Sequence, residues 1–314
     1  MLKSLYSGIS GMKGFQTKLD VIGNNVANVN TVGFKKGRVI FQDIINQNIA
    51  GATAPTNQSG GVNPKQIGLG SKIASIDTIH TAGSPMTTNV GTDLAIDREN
   101  TFFVVTPDNP NDKNGASYLT KAGNFTRDAN GNLVNSNGYF VSGVYGTASP
   151  KDKVAINITD YTAPDPADPT KTITLKFTSY SIDENGYINV NDEAGHSGKL
   201  AFDGTKYYLN SDTTQPDNDI SLATAVVSNP GGLKKVGNTM FEVTGNAEAG
   251  GKVTIDRIQN NSGGTIISGI LEMSNVDLTE EFTEMIVAQR GFQANARTIT
   301  TSDSILEEVV NLKR

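Results

Sequence analysis

At 314 residues the chain is long enough for two or three compact units, each with a core of its own. A net charge of −6 argues against a general nucleic-acid binder, and the absence of Cys removes thiol nucleophiles, disulfides and most zinc sites together. No apolar run approaches the ~18 residues of a membrane span, so no membrane insertion is expected.

The chain opens MLKSLYSGISGMKG, which lacks the continuous apolar stretch and small-residue cleavage site of a secretory signal. The expectation is a cytoplasmic chain, or one exported without a cleaved signal. Leu5, Met12, Leu19 and Val26 recur every seventh residue, Leu2 and Ile9 form a second row, and Phe15, Ile22 and Val29 a third. This is an apolar stripe at helical period. Gly8, Gly11, Gly14 and Gly23 interrupt it, each costing roughly 1 kcal/mol of helix stability relative to Ala. Such a helix needs close packing against other helices to persist, and small residues permit that approach. The charge here is local: six basic residues and Asp20 give residues 1–38 a net +5, leaving −11 for the remainder. A solvated basic face and an arm that meets acidic surfaces both fit.

The stretch NNVANVNTVGFKK (residues 24–36) is a poor continuation of a helix. Residues 47–70 are rich in Gly, Asn and Pro and read as an extended linker or irregular arm. Short strand patterns follow at residues 72–79 and at 101–106 (TFFVVT). Residues 123–143 read as two strands around the Asn130-Gly131 and Asn137-Gly138 turns, and further strands are expected at 173–180, 187–190, 224–228, 239–244 and 265–271. Pro150 and residues 162–170 and 211–219 read as boundaries or loops.

The far end is cleaner. Leu278, Met285, Phe292, Ile299 and Leu306 fall at steps of seven, with Phe282, Gln289, Ala296, Asp303 and Val310 as the interleaved row. Asp277 or Thr279 can cap the start, and Glu280 and Glu281 suit the first turn. The predicted class is therefore α+β. Discontinuous coiled-coil terminal helices (1–35 and 275–314) form an inner core, followed by an arm at 36–70. The mainly-β body occupies 71–147 and 223–274, with a smaller inserted β domain at 148–222. The terminal helices are expected to pair with each other. The three apolar rows of the first exceed what one partner needs, which suggests further copies of the chain; a closed intramolecular bundle is the alternative.

No catalytic, cofactor or metal site is expected. His80 and His196 lack ligand-like neighbours, and Asp128, Asn130 and Asn132 resemble the start of a calcium loop without its Gly or closing Glu. Neither a phosphate-binding loop nor a nucleophile elbow occurs, and an enzyme is not the expected reading.

Ala27, Asn28, Thr31, Gly33, Phe34 and Lys35 match at every position the signature Ala-Asn-x-x-Thr-x-Gly-Phe/Tyr-Lys/Arg of bacterial flagellar rod and hook proteins. The preceding SGISGMKGFQTKLDVIGNN, the body segments YLTKAGNFTRDANGNLVNSNGYFVSG and VVSNPGGLKKVGNTMFEVT, and the ending EEFTEMIVAQRGFQANARTITTSDSILEEVVNLKR resemble the same family. The resemblance weakens in the inserted unit. It also departs at DLAIDRENTFFVV, where Arg98, Glu99 and Asn100 replace a Gly-rich turn and only Asn100 readily takes positive φ. The linker and the ending look most like the short hook proteins of Gram-positive bacteria. The distal rod protein of the basal body is the alternative, and a non-flagellar secreted β-rich surface protein is a more remote one.

The resemblance implies a structural subunit that polymerises into a flexible helical tube, the universal joint carrying motor torque to the filament around an export channel. It implies termini largely disordered in the free subunit, with an assembly core of Leu5, Ile9, Met12, Leu19, Ile22, Val26, Leu278, Phe282, Met285, Phe292, Ala296, Ile299, Leu306 and Val310. The implied partners are other copies of the chain, the distal rod, hook cap and hook-filament junction proteins, and the flagellar type III export apparatus. The implied location is the hook and basal body, extracellular after export without a cleaved signal. Gly33 would be the permissive residue of an outward turn and Phe34 its anchor, and an ordinary helix C-cap fits the same residues. On periodicity, Phe292 should fill the seam between the terminal helices.

Overall fold

The computed structural model describes residues 2–56, 60–108, 116–146, 152–165, 168–211, 218–260 and 263–312. The chain is α+β and divides into two compact units. Met1–Val29, Lys36–Ile79 and Val276–Arg314 make the first, and Asn30–Lys35 with His80–Asn275 make the second.

The first unit holds two long helices, α1 (Leu2–Ala27) and α2 (Leu278–Asn311), and four strands: β1 (Gly37–Asp43), β2 (Asn46–Ala50), β3 (Lys65–Gly68) and β4 (Ser71–Thr78). Helix α2 begins where Asp277 caps it, the carboxylate accepting from the Thr279 and Glu280 amides, with Glu280 and Glu281 in the first turn. Its 34 residues span roughly 50 Å. Helix α1 stops at Ala27, where the Asn28 side chain turns back and donates to the Asn24 carbonyl at 2.9 Å. Strands β1 and β4 pair antiparallel over their whole length, while β2 and β3 form a separate hairpin with every residue exposed. The segment expected to be irregular is thus partly a hairpin; its weak apolarity leaves it without a core.

The second unit is β. Strand Thr101–Thr106 is buried at all six positions. Phe103 and Val105 belong to one core, with Phe125, Val141 and Ile156, whereas Phe102 and Val104 belong to another, with Leu119, Ala225 and Phe241. Side chains alternate across a strand, so this one has a core on each face. It pairs antiparallel with Tyr118–Thr120, Phe140–Tyr145 and Thr224–Val226. The two Asn-Gly turns form as the sequence predicts, with Gly131 at φ +82 and Gly138 at φ +78. Neither Arg98, Glu99 nor Asn100 takes positive φ; the Arg98 carbonyl instead accepts a hydrogen bond from Lys121 Nζ.

Five further strands (Asp160–Asp165, Asp168–Ile182, Ile188–Asp192, Ser197–Phe202 and Tyr207–Asn210) form a sheet in sequential order. Its buried Ile182, Ile188, Val190, Leu200 and Phe202 join the same core as Phe103 and Val141. Residues 162–165 and 168–170, expected to be loop, are paired strand. Asp160–Asp165 is the sheet's edge, where Pro164 needs no amide for the ladder. Pro150, residues 166–167 of that expected loop and residues 212–217 of the expected loop at 211–219 lie outside the described residues.

The hairpin Lys234–Gly237/Met240–Glu242 turns on Asn238 and Thr239, at φ +53 and +58. Two successive residues at positive φ suit a tight hairpin, but a β-branched residue there is strained. Thr239→Gly should stabilise the β unit by about 1 kcal/mol, read as a higher urea midpoint at unchanged slope.

Candidate functional site

Two arrangements bring the singled-out residues together, one in each unit. In the first, α1 and α2 pack antiparallel. A Cβ at Gly8 would lie 3.2 Å from Ile299, one at Gly11 2.8 Å from Asn295, and one at Gly291 2.6 Å from the Phe15 ring. Further along, Lys18 pairs with Glu284, and Asn25 Nδ2 donates to Glu281 Oε2 at 3.1 Å. Gly14 takes the ring of Phe41 from β1, a Cβ there falling 2.6 Å from it. Three of the four glycines that weaken α1 therefore sit where a partner side chain comes close enough that an added Cβ would make it shift, and Gly23 meets nothing.

Asn25 lies buried at the end of α1, in the stretch whose composition argues only against a continued helix. Its amide donates to the Gly37 carbonyl and accepts from the Gly37 amide, both at 2.9 Å, besides reaching Glu281. One side chain thus ties α1, β1 and α2 together. Lys36 adds a 2.7 Å ion pair to Glu280.

The seam uses Glu281, Ala288 and Ser302, all buried, with Asn295 half-buried against Gly11. This row lies one residue back from the expected Phe282, Gln289, Ala296, Asp303 and Val310. Ile299 faces Gly8, and Met285 and Leu306 are half-buried. Phe292 does not fill this seam: its neighbour Gly291 faces Phe15, and Phe292 is 36% exposed. Leu278, Phe282, Ile286, Val287, Ile305, Val309 and Val310 are also exposed. On α1, Ile22 is buried, Leu5, Met12, Leu19 and Val26 are half-buried, and Ile9 is exposed.

In the second arrangement Asn30–Lys35 lies within the β unit, while Ala27 and Asn28 of the same motif close α1. Gly33 has φ +69 and donates its amide to the Glu272 carbonyl at 2.8 Å. A Cβ would lie 2.6 Å from the Ala122 amide nitrogen and 2.8 Å from the Lys121 carbonyl carbon, both unyielding backbone atoms, so both conformation and space demand glycine. Phe34 donates its amide to the Thr31 carbonyl, and Lys235 Nζ lies 4.9 Å from its ring centre. Lys35 is 1% exposed, and its Nζ donates to Glu272 Oε1 at 2.5 Å and to the Thr81 carbonyl at 2.7 Å. Lys235 Nζ donates to the Lys35 carbonyl at 2.7 Å, and Lys121 Nζ is 3.8 Å from Glu272 Oε2. Burial lowers Lys121 to about 8, with Glu272 drawing it back up. His80 is pushed down to about 4, first by burial and then by Lys35, Lys235 and Lys121. Sequence periodicity does not reveal Glu272, Lys121 or His80 as partners of the motif, because they meet it only through the fold. Among the described residues, no group of three or more His, Asp or Glu converges as metal ligands.

Three family models match these same stretches. Residues 5–35 match the flagella basal body rod protein model, 98–190 the flagellar hook protein FlgE/F/G D1 domain, and 267–312 the flagellar basal body rod FlgEFG protein C-terminal model. The flagellar basal-body rod protein FlgG of Bacillus subtilis (strain 168) is 45% identical over 316 residues, covering 100% of both chains. The chain belongs to the flagellar hook and rod protein family. The flagellar hook protein FlgE of Borreliella burgdorferi is 34% identical over 452 aligned residues, and that organism's FlgG 33% over 320, each again covering 100% of both chains. The family's end models thus cover nearly all of α1, the buried motif, Glu272 and the whole of α2.

Gly33→Ala should cost at least about 2 kcal/mol at this point. The expected signature is loss of hydrogen-exchange protection at the Gly33-derived and Phe34 amides while the amides of Thr101–Thr106 stay protected.

Proposed function

We propose that the chain is a hook subunit that polymerises through its terminal helices into a helical tube. The observation that carries this reading is the apolar stripe of α2, where Leu278, Phe282, Ile286 and Phe292 remain exposed after α1 has packed. Each such side chain gains roughly 1.5 to 3 kcal/mol on full burial, and a second copy presenting the same helices supplies the means. Residues 1–29 and 276–314 form the inner helical core around an export channel, residues 36–79 an arm belonging to the same unit, residues 30–35, 80–147 and 223–275 the β body, and 148–222 the outer domain. The role is structural, without catalysis. The subunit leaves the cell through the flagellar type III apparatus without a cleaved signal, and meets the distal rod, hook cap and hook-filament junction proteins at the ends of the polymer.

A second reading, the distal rod, rests on length. The alignments with FlgG proteins run to 316 and 320 positions, against 452 and 474 for full-length FlgE proteins, so the chain matches rod relatives without long insertions. Electron microscopy of basal bodies from a deletion strain complemented with this gene separates the two. Curved tubes of the subunit beyond the outer surface support the hook, and a straight shaft within the basal body supports the rod.

Phe282→Asp with Phe292→Asp should abolish either polymer, since a buried carboxylate without a partner is strongly disfavoured. Blotting should find monomer in the culture medium, and the β unit should keep its wild-type melting temperature. Normal tubes built from the double variant would refute the docking stripe.

A further inference from the structure

His80 is buried beside a cluster in which Lys35 and Lys121 are buried, Lys235 is exposed at its edge, and Glu272, Glu99 and Asp97 supply the negative charge. The imidazole packs edge-on to Phe102 (5.8 Å between centres) and against Phe241 (5.3 Å), with both ring nitrogens shut away from solvent. Its sequence neighbour Thr81 offers the carbonyl that holds Lys35 Nζ, and the Thr81 hydroxyl accepts from Asn275 Nδ2 at 3.0 Å. The charged groups that act on His80 are Lys35 from the motif, Lys121 from the loop after Tyr118–Thr120 and Lys235 from strand Lys234–Gly237; the strands of Phe102 and Phe241 add only rings, and the backbone at Pro230 works weakly in the other direction. Glu272, from strand Ile270–Glu272, neutralises one of them, binding Lys35 and the Gly83 amide (3.0 Å). Glu99 is engaged nearby, accepting from the Ala82 amide at 3.2 Å. The chain enters or leaves this unit at 29/30, 35/36, 79/80 and 275/276, and residues adjoining three of these passages, Lys35, His80-Thr81 and Asn275, meet here.

We propose that His80 makes this cluster an acid-released clasp: a proton on its imidazole places a further cation beside three lysines and frees Asn30–Lys35 from the β unit. A base held neutral by the fold stabilises it above its ordinary titration range, near 6.5, and that stability is lost as pH falls toward 4. The window is therefore mild acid. The carboxylate does not prevent release, because its one charge is already committed to Lys35 and shared only at 3.8 Å with Lys121.

The test is hydrogen exchange on the full chain at pH 7 and pH 5, corrected for intrinsic exchange rates. A peptide covering residues 30–36 is compared with one covering Thr101–Thr106. Protection of residues 30–36 should fall about twentyfold between the two pH values while the strand is unchanged. His80→Gln and His80→Leu should both remove the pH dependence. The proposal is overturned if residues 30–36 show no such loss, if both regions lose protection together, or if a folded variant keeps the wild-type loss. Should neither variant fold, NMR titration of the wild-type protein decides. A shared midpoint for the His80 imidazole and the Gly33 amide supports the clasp, and separate midpoints overturn it.

Discussion

A lysine ammonium leaves water only at a cost of several kcal/mol, and Lys35 has left it almost completely. Everything about residues 30–35 follows from meeting that requirement. Glu272 must lie within contact of Nζ, the Thr81 carbonyl must accept a second hydrogen bond from it, and the backbone at Gly33 must pass so close to Lys121 and Ala122 that no side chain fits. The ion pair adds little net stability of its own, but breaking it leaves an uncompensated charge. That asymmetry makes the arrangement specific: the segment fits in one register or not at all.

The helix pair works on the opposite logic. Its seam sets small Gly8, Gly11, Gly291, Ala288 and Ser302 and polar Asn25, Asn295 and Glu281 beside Phe15, Ile22 and Ile299, so the intramolecular contact is close but leaves much apolar surface of α2 outside it. The larger side chains, Phe282, Ile286 and Phe292, are kept for the outside. A hairpin with a modest inner face and an apolar outer one favours association over self-sufficiency, since hydrophobic burial scales with the apolar area removed from water. The glycines that look like defects in an isolated helix are the places where α2 and Phe41 approach most closely.

Sequence reasoning reads period well and pairing poorly. The two terminal helices, the Asn-Gly hairpins and the buried strand TFFVVT follow from local pattern, and the motif with Gly33 at positive φ follows from residue chemistry. On α2 the second seam row lies one residue before the row that periodicity selects, because Phe282 and Val310 look like core, whereas Glu281 and Ser302 do not. Here close packing selected small and polar residues over large apolar ones. The Pro-rich stretch at 162–170 suggested a loop because Pro opposes ladders, an objection that vanishes at a sheet edge, and edges are a property of topology. The partners of Lys35 were illegible for the same reason: Glu272 lies 237 positions away, and no local pattern joins them.

Strand Thr101–Thr106, with a core on each face, has a mechanical consequence. Two cores separated by a slip plane would let a loaded subunit shear between them. Here the wall between them is a single covalent strand, stitched along its edges to Tyr118–Thr120, Phe140–Tyr145 and Thr224–Val226. Sliding either core past the other means drawing Phe102 and Phe103, which point in opposite directions, out of two packed interiors at once. Any shear between the two cores has to break this strand's packing on both faces together.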